Sequence, residues 1–118
     1  MDNSVLSANS TVPAYEAAKL MENLNSSALL VLENQVPIGI VTDKDLTVKI
    51  IAHSYPLDTP IRRIMSSPLI SITPETDLNT AVEIMTSKKI RKLPIISENN
   101  VVGMVIASDV SMNVPNPS

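Results

Sequence analysis

Cysteine, tryptophan and phenylalanine are absent from this 118-residue chain, and histidine occurs once, at His53. Without Cys there are no disulfides, thiolate nucleophiles, iron–sulfur clusters or Cys-based zinc sites. A single His excludes catalytic His pairs and two-His metal sites. Glycine is almost as scarce, with Gly39 and Gly103 the only two. Neither the Gly-rich dinucleotide loop nor the Gly-rich phosphate loop can be built from them. Tyr15 and Tyr55 are the only aromatics, so the 44% apolar content must pack as Ile, Val, Leu, Met and Ala. The longest apolar stretches, Ala28–Leu32 and Val101–Ala107, fall far short of the roughly 18 residues a membrane span requires. No charged segment leading into an apolar one opens the chain, which predicts a cytoplasmic protein with no secretory signal.

Oxygen and amine chemistry remains, on a mildly acidic chain of net charge −3. Residues 1–59 carry three basic and seven acidic side chains, residues 60–118 six and five. Such a balance supplies no broad basic face for sequence-independent nucleic-acid binding and predicts neither nucleic-acid nor membrane partners. It leaves room for a small anion beside the basic cluster. The length suits one compact domain, or two half-domains of about sixty residues.

The two glycines open the same kind of segment. Gly39-Ile40-Val41-Thr42-Asp43-Lys44-Asp45 and Gly103-Met104-Val105-Ile106-Ala107-Ser108-Asp109 lie 64 positions apart. At that offset Ala17 falls on Ala81, Met21 on Met85, Leu29 on Leu93, Val41 on Val105 and Asp45 on Asp109. Apolar class persists at Leu20/Ile84, Val31/Ile95, Leu32/Ile96 and Ile38/Val102. A register kept over a whole unit marks an internal duplication.

Each copy reads as strand–helix–strand–strand–helix. In the first, Val5–Ala8 is a strand, and Tyr15–Leu24 a helix whose face is Ala17, Leu20, Met21 and Leu24. Ala28–Leu32 and Val36–Val41 form a hairpin around Glu33-Asn34-Gln35, and Asp43–His53 is a helix ended by Ser54-Tyr55-Pro56. In the second, Leu69–Ile72 is a strand; Pro74 and Asp77 open a helix with face Leu78, Ala81, Val82 and Met85. Leu93–Ile96 and Val101–Ile106 flank a Ser97–Asn100 turn, and a last brief helix stops at Pro115 and Pro117. The expectation is an α/β (α+β) protein of two pseudo-symmetric β-α-β-β-α repeats packed sheet to sheet. Residues 1–54 form repeat 1, 55–67 a connector with a helical turn at Pro60–Met65, and 68–118 repeat 2.

The order of elements, the Gly-h-h-Thr-x-x-Asp segment, the lead-in Pro60-Ile61-Arg62-Arg63-Ile64-Met65-Ser66-Ser67-Pro68 and the strand Ile90-Arg91-Lys92-Leu93-Pro94-Ile95-Ile96 resemble a cystathionine-β-synthase (CBS) domain pair, or Bateman module. The similarity runs from Val5 to Asn113. It implies a sensor of adenosine ligands (AMP, ADP, ATP, S-adenosylmethionine or NAD), not an enzyme, with no required cofactor, a homodimer as assembly and an effector protein still to be named. Two features depart from the family: repeat 1 lacks a lead-in of the kind repeat 2 has, and the closing helix of repeat 2 is cut short at Asn113.

The Thr42-x-x-Asp45 segment supports two readings. As a ligand site, the helix start presents backbone N–H groups to a phosphate, Asp45 accepts from ribose hydroxyls, Thr42 donates to a phosphate oxygen, and the Gly39–Ile40 backbone lies close to the purine. As local structure, Thr at the N-cap with an acidic residue three positions on is a capping box. Repeat 2 carries Ile106 in place of Thr42, with Gly103, Ser108 and Asp109 as candidates, which predicts two unequal sites. Lys88 and Lys89 suit a helix C-terminus. The resemblance assigns Arg91 and Lys92 to phosphate; repeat 1 has Ser27 and Ala28 there. Pro94 marks a strand edge or cleft-facing bend. Arg62 and Arg63 suit an exposed turn, His53 a helix end, Met21 and Met85 the core, and Met65 an inter-repeat cleft. The alternative to a nucleotide sensor is a ligand-free module for protein–protein interaction and dimerisation.

Overall fold

Runs of Ala, Leu and Val over 28–32 and of Val and Ile over 36–41 favour paired strands, and they pair in the computed structural model, which describes residues 5–107. Those residues fall into two compact units, one spanning Val5–Leu69 and the other starting at Ile70. The first contains β1 (Ser7–Asn9), α1 (Ala14–Asn23), β2 (Ala28–Glu33), β3 (Val36–Thr42), a single α-turn α2 (Asp43–Asp45), a π-helix (Leu46–Ala52) and a 3-10 turn (Ile61–Arg63). The second contains α3 (Leu78–Lys88), β4 (Lys92–Ser97) and β5 (Asn100–Ile106). In the first unit β2 is central, parallel to β1 and antiparallel to β3.

The duplication is visible bond by bond. Ala28 pairs with Thr42 and Lys92 with Ile106; both ladders shift register at the matched step, Val31/Leu32 and Ile95/Ile96. Both hairpins close with two-residue loops in which each central residue has positive φ: Asn34 (53°) and Gln35 (67°), Glu98 (51°) and Asn99 (67°). Such type I′ turns follow the right-handed twist of the strands. Helices α1 and α3 also stop alike, with Asn25 (φ 51°) and Lys89 (φ 58°) left-handed. There the Ser26 N–H donates to Met21 O at 2.9 Å and the Ile90 N–H to Met85 O at 3.0 Å, the six-to-one bond of a Schellman stop. Lys89 therefore terminates the helix through its backbone.

The copies diverge at their first strand. Leu30 N–H donates to Leu6 O and Ser10 N–H to Leu32 O, both at 2.8 Å, securing β1 on β2. The residues matching Leu30 and Ser10 are Pro94 and Pro74, which have no N–H. Only the middle of the ladder survives, an isolated parallel bridge between Ile72 and Ile95. Here Ile72 N–H reaches Pro94 O at 2.9 Å and Ile96 N–H reaches Ile72 O at 2.8 Å. The expected strand Leu69–Ile72 is thus reduced to one bridge.

The helix expected over Asp43–His53 also changes character. Thr47 Oγ1 donates to Asp43 O at 2.9 Å, and the same carbonyl accepts from Leu46 N–H. Past that point β-branched Val48, Ile50 and Ile51 sit in a wider π-turn, with His53 N–H bonded to Val48 O at 2.9 Å. His53 caps its end. The closing helix of repeat 2, with Pro115 and Pro117, lies outside the described residues.

The first unit buries Ala14, Ala17, Met21, Leu29, Val31, Val41, Ile61 and Ile64 together; the second buries Ile72, Ala81, Met85 and Leu93. Leu24 and Leu78, expected on the helix faces, are 62% and 51% exposed. Leu24 lies one residue past the end of α1, and Leu78 is the first residue of α3, before the helix meets its sheet. Ile84 and Ile90 pack on the second core instead. Asp77 caps α3: its carboxylate accepts from Thr80 N–H at 2.8 Å, and hydrogen bonds from the side chain and backbone of Thr80 hold its carboxyl below the ordinary aspartate range.

Because L-residues with positive φ are strained by about 1 kcal/mol each, Gln35→Gly and Asn99→Gly are expected to raise stability by about that amount. Thermal unfolding followed by circular dichroism should show a rise of a few degrees for each substitution. A fall in the midpoint would contradict the turn assignment.

Candidate functional site

The end of β3 and the start of the following helix bring four of the sequence candidates together: Gly39, Ile40, Thr42 and Asp45. Thr42 has extended backbone (φ −117°, ψ 170°) and Asp45 is helical, so the two side chains meet across one turn. Thr42 Oγ1 accepts from Asp45 N–H at 3.3 Å and donates to Asp45 Oδ2 at 3.2 Å. Asp45 Oδ2 also accepts from Thr42 N–H at 2.9 Å. This is a complete capping box. The local-structure reading of these residues is therefore realised.

The box leaves one carboxylate oxygen outside it. Among the described residues Asp45 Oδ1 accepts only from Ser66, whose hydroxyl lies 3.3 Å from Oδ1 and 3.5 Å from Oδ2. Asp45 is half-buried and Ser66 is exposed, so this end of the carboxylate lies at the surface. Backbone bonds hold Ser66 in place: its N–H donates to Ile40 O at 2.8 Å, and Ile40 N–H donates to Ser66 O at 3.2 Å.

Gly39 explains how the segment comes so close. A Cβ there would lie 2.6 Å from Met65 Sδ and 2.9 Å from Ser66 O. The Cβ side of Gly39 is thus occupied by Met65 and Ser66 of the protein's own chain. Met65, expected to line a cleft between repeats, packs on the core of the first unit. That whole stretch is stitched down. Ala14 N–H reaches Thr59 O at 2.8 Å, Ile61 N–H reaches Val12 O at 2.9 Å, and Ile61 and Ile64 are fully buried. Sequence reasoning gave Ser66 no role. The available signal was the strand glycine itself, which marks a close backbone approach.

The remaining candidates fall in the second unit. Lys92 begins β4 opposite Ile106, and Arg91 is exposed, its carbonyl accepting from Ala107 N–H at 2.7 Å. Ser27 O holds Asp43 N–H in the same way at 3.1 Å. Pro94 is fully buried, its carbonyl turned to Ile72; its missing N–H lies on that edge and costs the β4–β5 ladder nothing. Among the described residues, a Cβ on Gly103 would meet only Ile95 Cδ1, at 3.3 Å. Ser108 and Asp109 lie outside the described residues. Arg62 and Arg63 are exposed on the 3-10 turn. Among the described residues no group of three or more His, Asp or Glu is placed to hold a metal ion, and no helix is long and apolar enough to cross a membrane.

The family model described as the CBS domain matches twice, over residues 1–52 and 61–115. The chain belongs to the CBS domain family. Among its relatives, the CBS domain-containing protein YhcV of Bacillus subtilis is 36% identical over 110 residues, 93% of this chain and 77% of the relative. An uncharacterized protein of Methanopyrus kandleri is 37% identical over 90% of this chain, which spans 56% of that protein. An uncharacterized conserved protein from Pyrococcus horikoshii has the same fold, with a TM-score of 0.86 at 25% identity over 100% of this chain and 90% of that one. The hexameric CBS-CP12 protein from bloom-forming cyanobacteria gives 0.84 at 25% identity over 98% of this chain and 72% of its own.

The two glycines of the pair differ sharply in what surrounds them. Gly39→Ala is expected to destabilise the protein by about 1–3 kcal/mol, since the Ser66 carbonyl is backbone and must shift. Gly103→Ala, facing the tip of one Ile side chain, should cost much less. Urea midpoints of the two variants check the contrast; equal losses would contradict it.

Proposed function

We propose that this CBS domain pair is a non-catalytic regulatory module whose first repeat binds an adenosine ligand, the ribose diol resting on Asp45. The observation that carries the reading is Asp45 Oδ1: a carboxylate oxygen at the surface, outside the capping box, with one long bond to a hydroxyl. An ionised carboxylate accepts about four hydrogen bonds and Thr42 takes two of them, so a diol fits where the Ser66 hydroxyl gives way. Family membership supports the ligand class, and the Gly39–Asp45 segment supports its location. On matched positions, a second and unequal site in repeat 2 would use Gly103, Ser108 and Asp109, with Arg91 and Lys92 for phosphate.

The completed capping box favours a second reading, a ligand-free interaction module. Stability panels separate the two. Midpoints with AMP, ADP, ATP, NAD, S-adenosylmethionine and a triphosphate lacking adenine, each at about 1 mM, should rise by several degrees for at least one adenosine compound. A ligand at 100 times its Kd adds about 2.7 kcal/mol. The shift should vanish in Asp45→Ala. A flat panel leaves the interaction module.

Either module is proposed to work as a homodimer. A groove of about 290 Å³ runs between α1 and the π-helix, floored by Ala14, Ala18 and Ile50. Beside it Tyr15, Ile51 and Leu57 are 45%, 72% and 64% exposed. One patch thus offers both protruding side chains and a recess of small residues, as a twofold interface requires. Sedimentation should show a dimer for the wild type and a monomer for Ile51→Glu; a monomeric wild type would refute the assembly.

A further inference from the structure

We infer that Ser66 is a built-in competitor for the Asp45 carboxylate, so that whatever occupies Asp45 is felt by the chain where it leaves the first unit. The inference rests on the nucleotide reading above for the identity of the occupant. Its physical basis lies in the position of one hydroxyl. Ser66 Oγ is 3.3 Å from Oδ1 and 3.5 Å from Oδ2, straddling the edge against which a diol must set its two hydroxyls. Oδ2 is already engaged by Thr42 through its N–H at 2.9 Å and its hydroxyl at 3.2 Å, so the Ser66 side is where a new donor must enter. A diol and the Ser66 hydroxyl compete for the same lone pairs.

The competitor cannot simply drift away. Its backbone exchanges two hydrogen bonds with Ile40, and Met65 is wedged over Gly39, which fixes the Cα of Ser66 beside the carboxylate. A ligand therefore has two ways to displace the hydroxyl: rotation of the Ser66 side chain, or release of residues 65–66 from β3. The first unit ends at Leu69, three residues after Ser66. Loss of the Ser66–Asp45 bond weakens the last tether before that boundary, and restoring it tightens the tether. A ligand that binds the released state better than the tethered one shifts the balance between them.

Two measurements test this, one with ligand and one without. With ligand, titration calorimetry using AMP and ATP should give Ser66→Ala an affinity about three- to tenfold tighter than wild type, because one hydrogen bond no longer has to be broken. Equal or weaker binding by Ser66→Ala overturns the competitor role. Without ligand, amide exchange at Ser66, Ser67 and Leu69 is compared in wild type, Asp45→Ala, Ser66→Ala and the double variant. Removing Asp45 should speed exchange several-fold more in the wild-type background than where Ser66 is already Ala. The lost capping box acts in both backgrounds, so only the difference between them reports the tether. Equal acceleration in both overturns it. If neither protein binds a nucleotide, the nucleotide reading fails by itself, and the exchange cycle still decides whether Asp45 and Ser66 are coupled.

Discussion

The bare Cα of Gly39 is the contact on which the first unit depends. Segment 57–66 runs back over the unit, and Met65 and Ser66 lie against β3 at Gly39. A Cβ there would force the Met65 side chain and the Ser66 carbonyl to shift, which loads the paired bonds between Ser66 and Ile40 and moves the hydroxyl held beside Asp45. One missing methyl group thus links packing, the sheet edge and the candidate site. Gly103 holds the same place in the second ladder, and among the described residues a Cβ there would meet only the tip of Ile95, so in that setting the two matched glycines are not equivalent.

The two repeats show how far a duplicated backbone tolerates divergence. Register, bulge position, hairpin geometry and helix stop are kept, although only some of the residues that make them are shared. These features depend on the backbone, and many sequences satisfy them. Hydrogen-bond donors are less forgiving. Pro94 and Pro74 remove two N–H groups, and a three-residue strand contracts to one bridge. The loss is tolerated because Ile72 keeps both of its own bonds and remains buried.

Much of the fold was legible because the duplication let each half check the other. The hairpins, α1, α3 and the Met21 and Met85 positions follow from apolar spacing that repeats after 64 residues. Three things were less legible, each for a physical reason. The strand at Leu69–Ile72 looks apolar enough, but its fate is set by prolines on its partner and beyond its end, which no local window weighs. The π-helix, entered where the Thr47 hydroxyl bonds the Asp43 carbonyl, is a geometric outcome invisible to periodicity. In the site, Thr42 and Asp45 could be found from spacing alone. Ser66 could not, since it is 21 positions from Asp45 and meets it only through the backbone pairing at Ile40.

The stitching of segment 57–66 also orders events in time. A chain emerging from synthesis presents β1, α1, the hairpin and the π-helix first, yet Ile61 and Ile64, two fully buried members of that core, come later. Until they arrive the sheet has an open edge at Ile40 and an incomplete core, a state in which nascent chains are prone to wrong pairing. The first half therefore completes its folding only as the residues leading into the second half appear, which ties maturation of one repeat to elongation of the next.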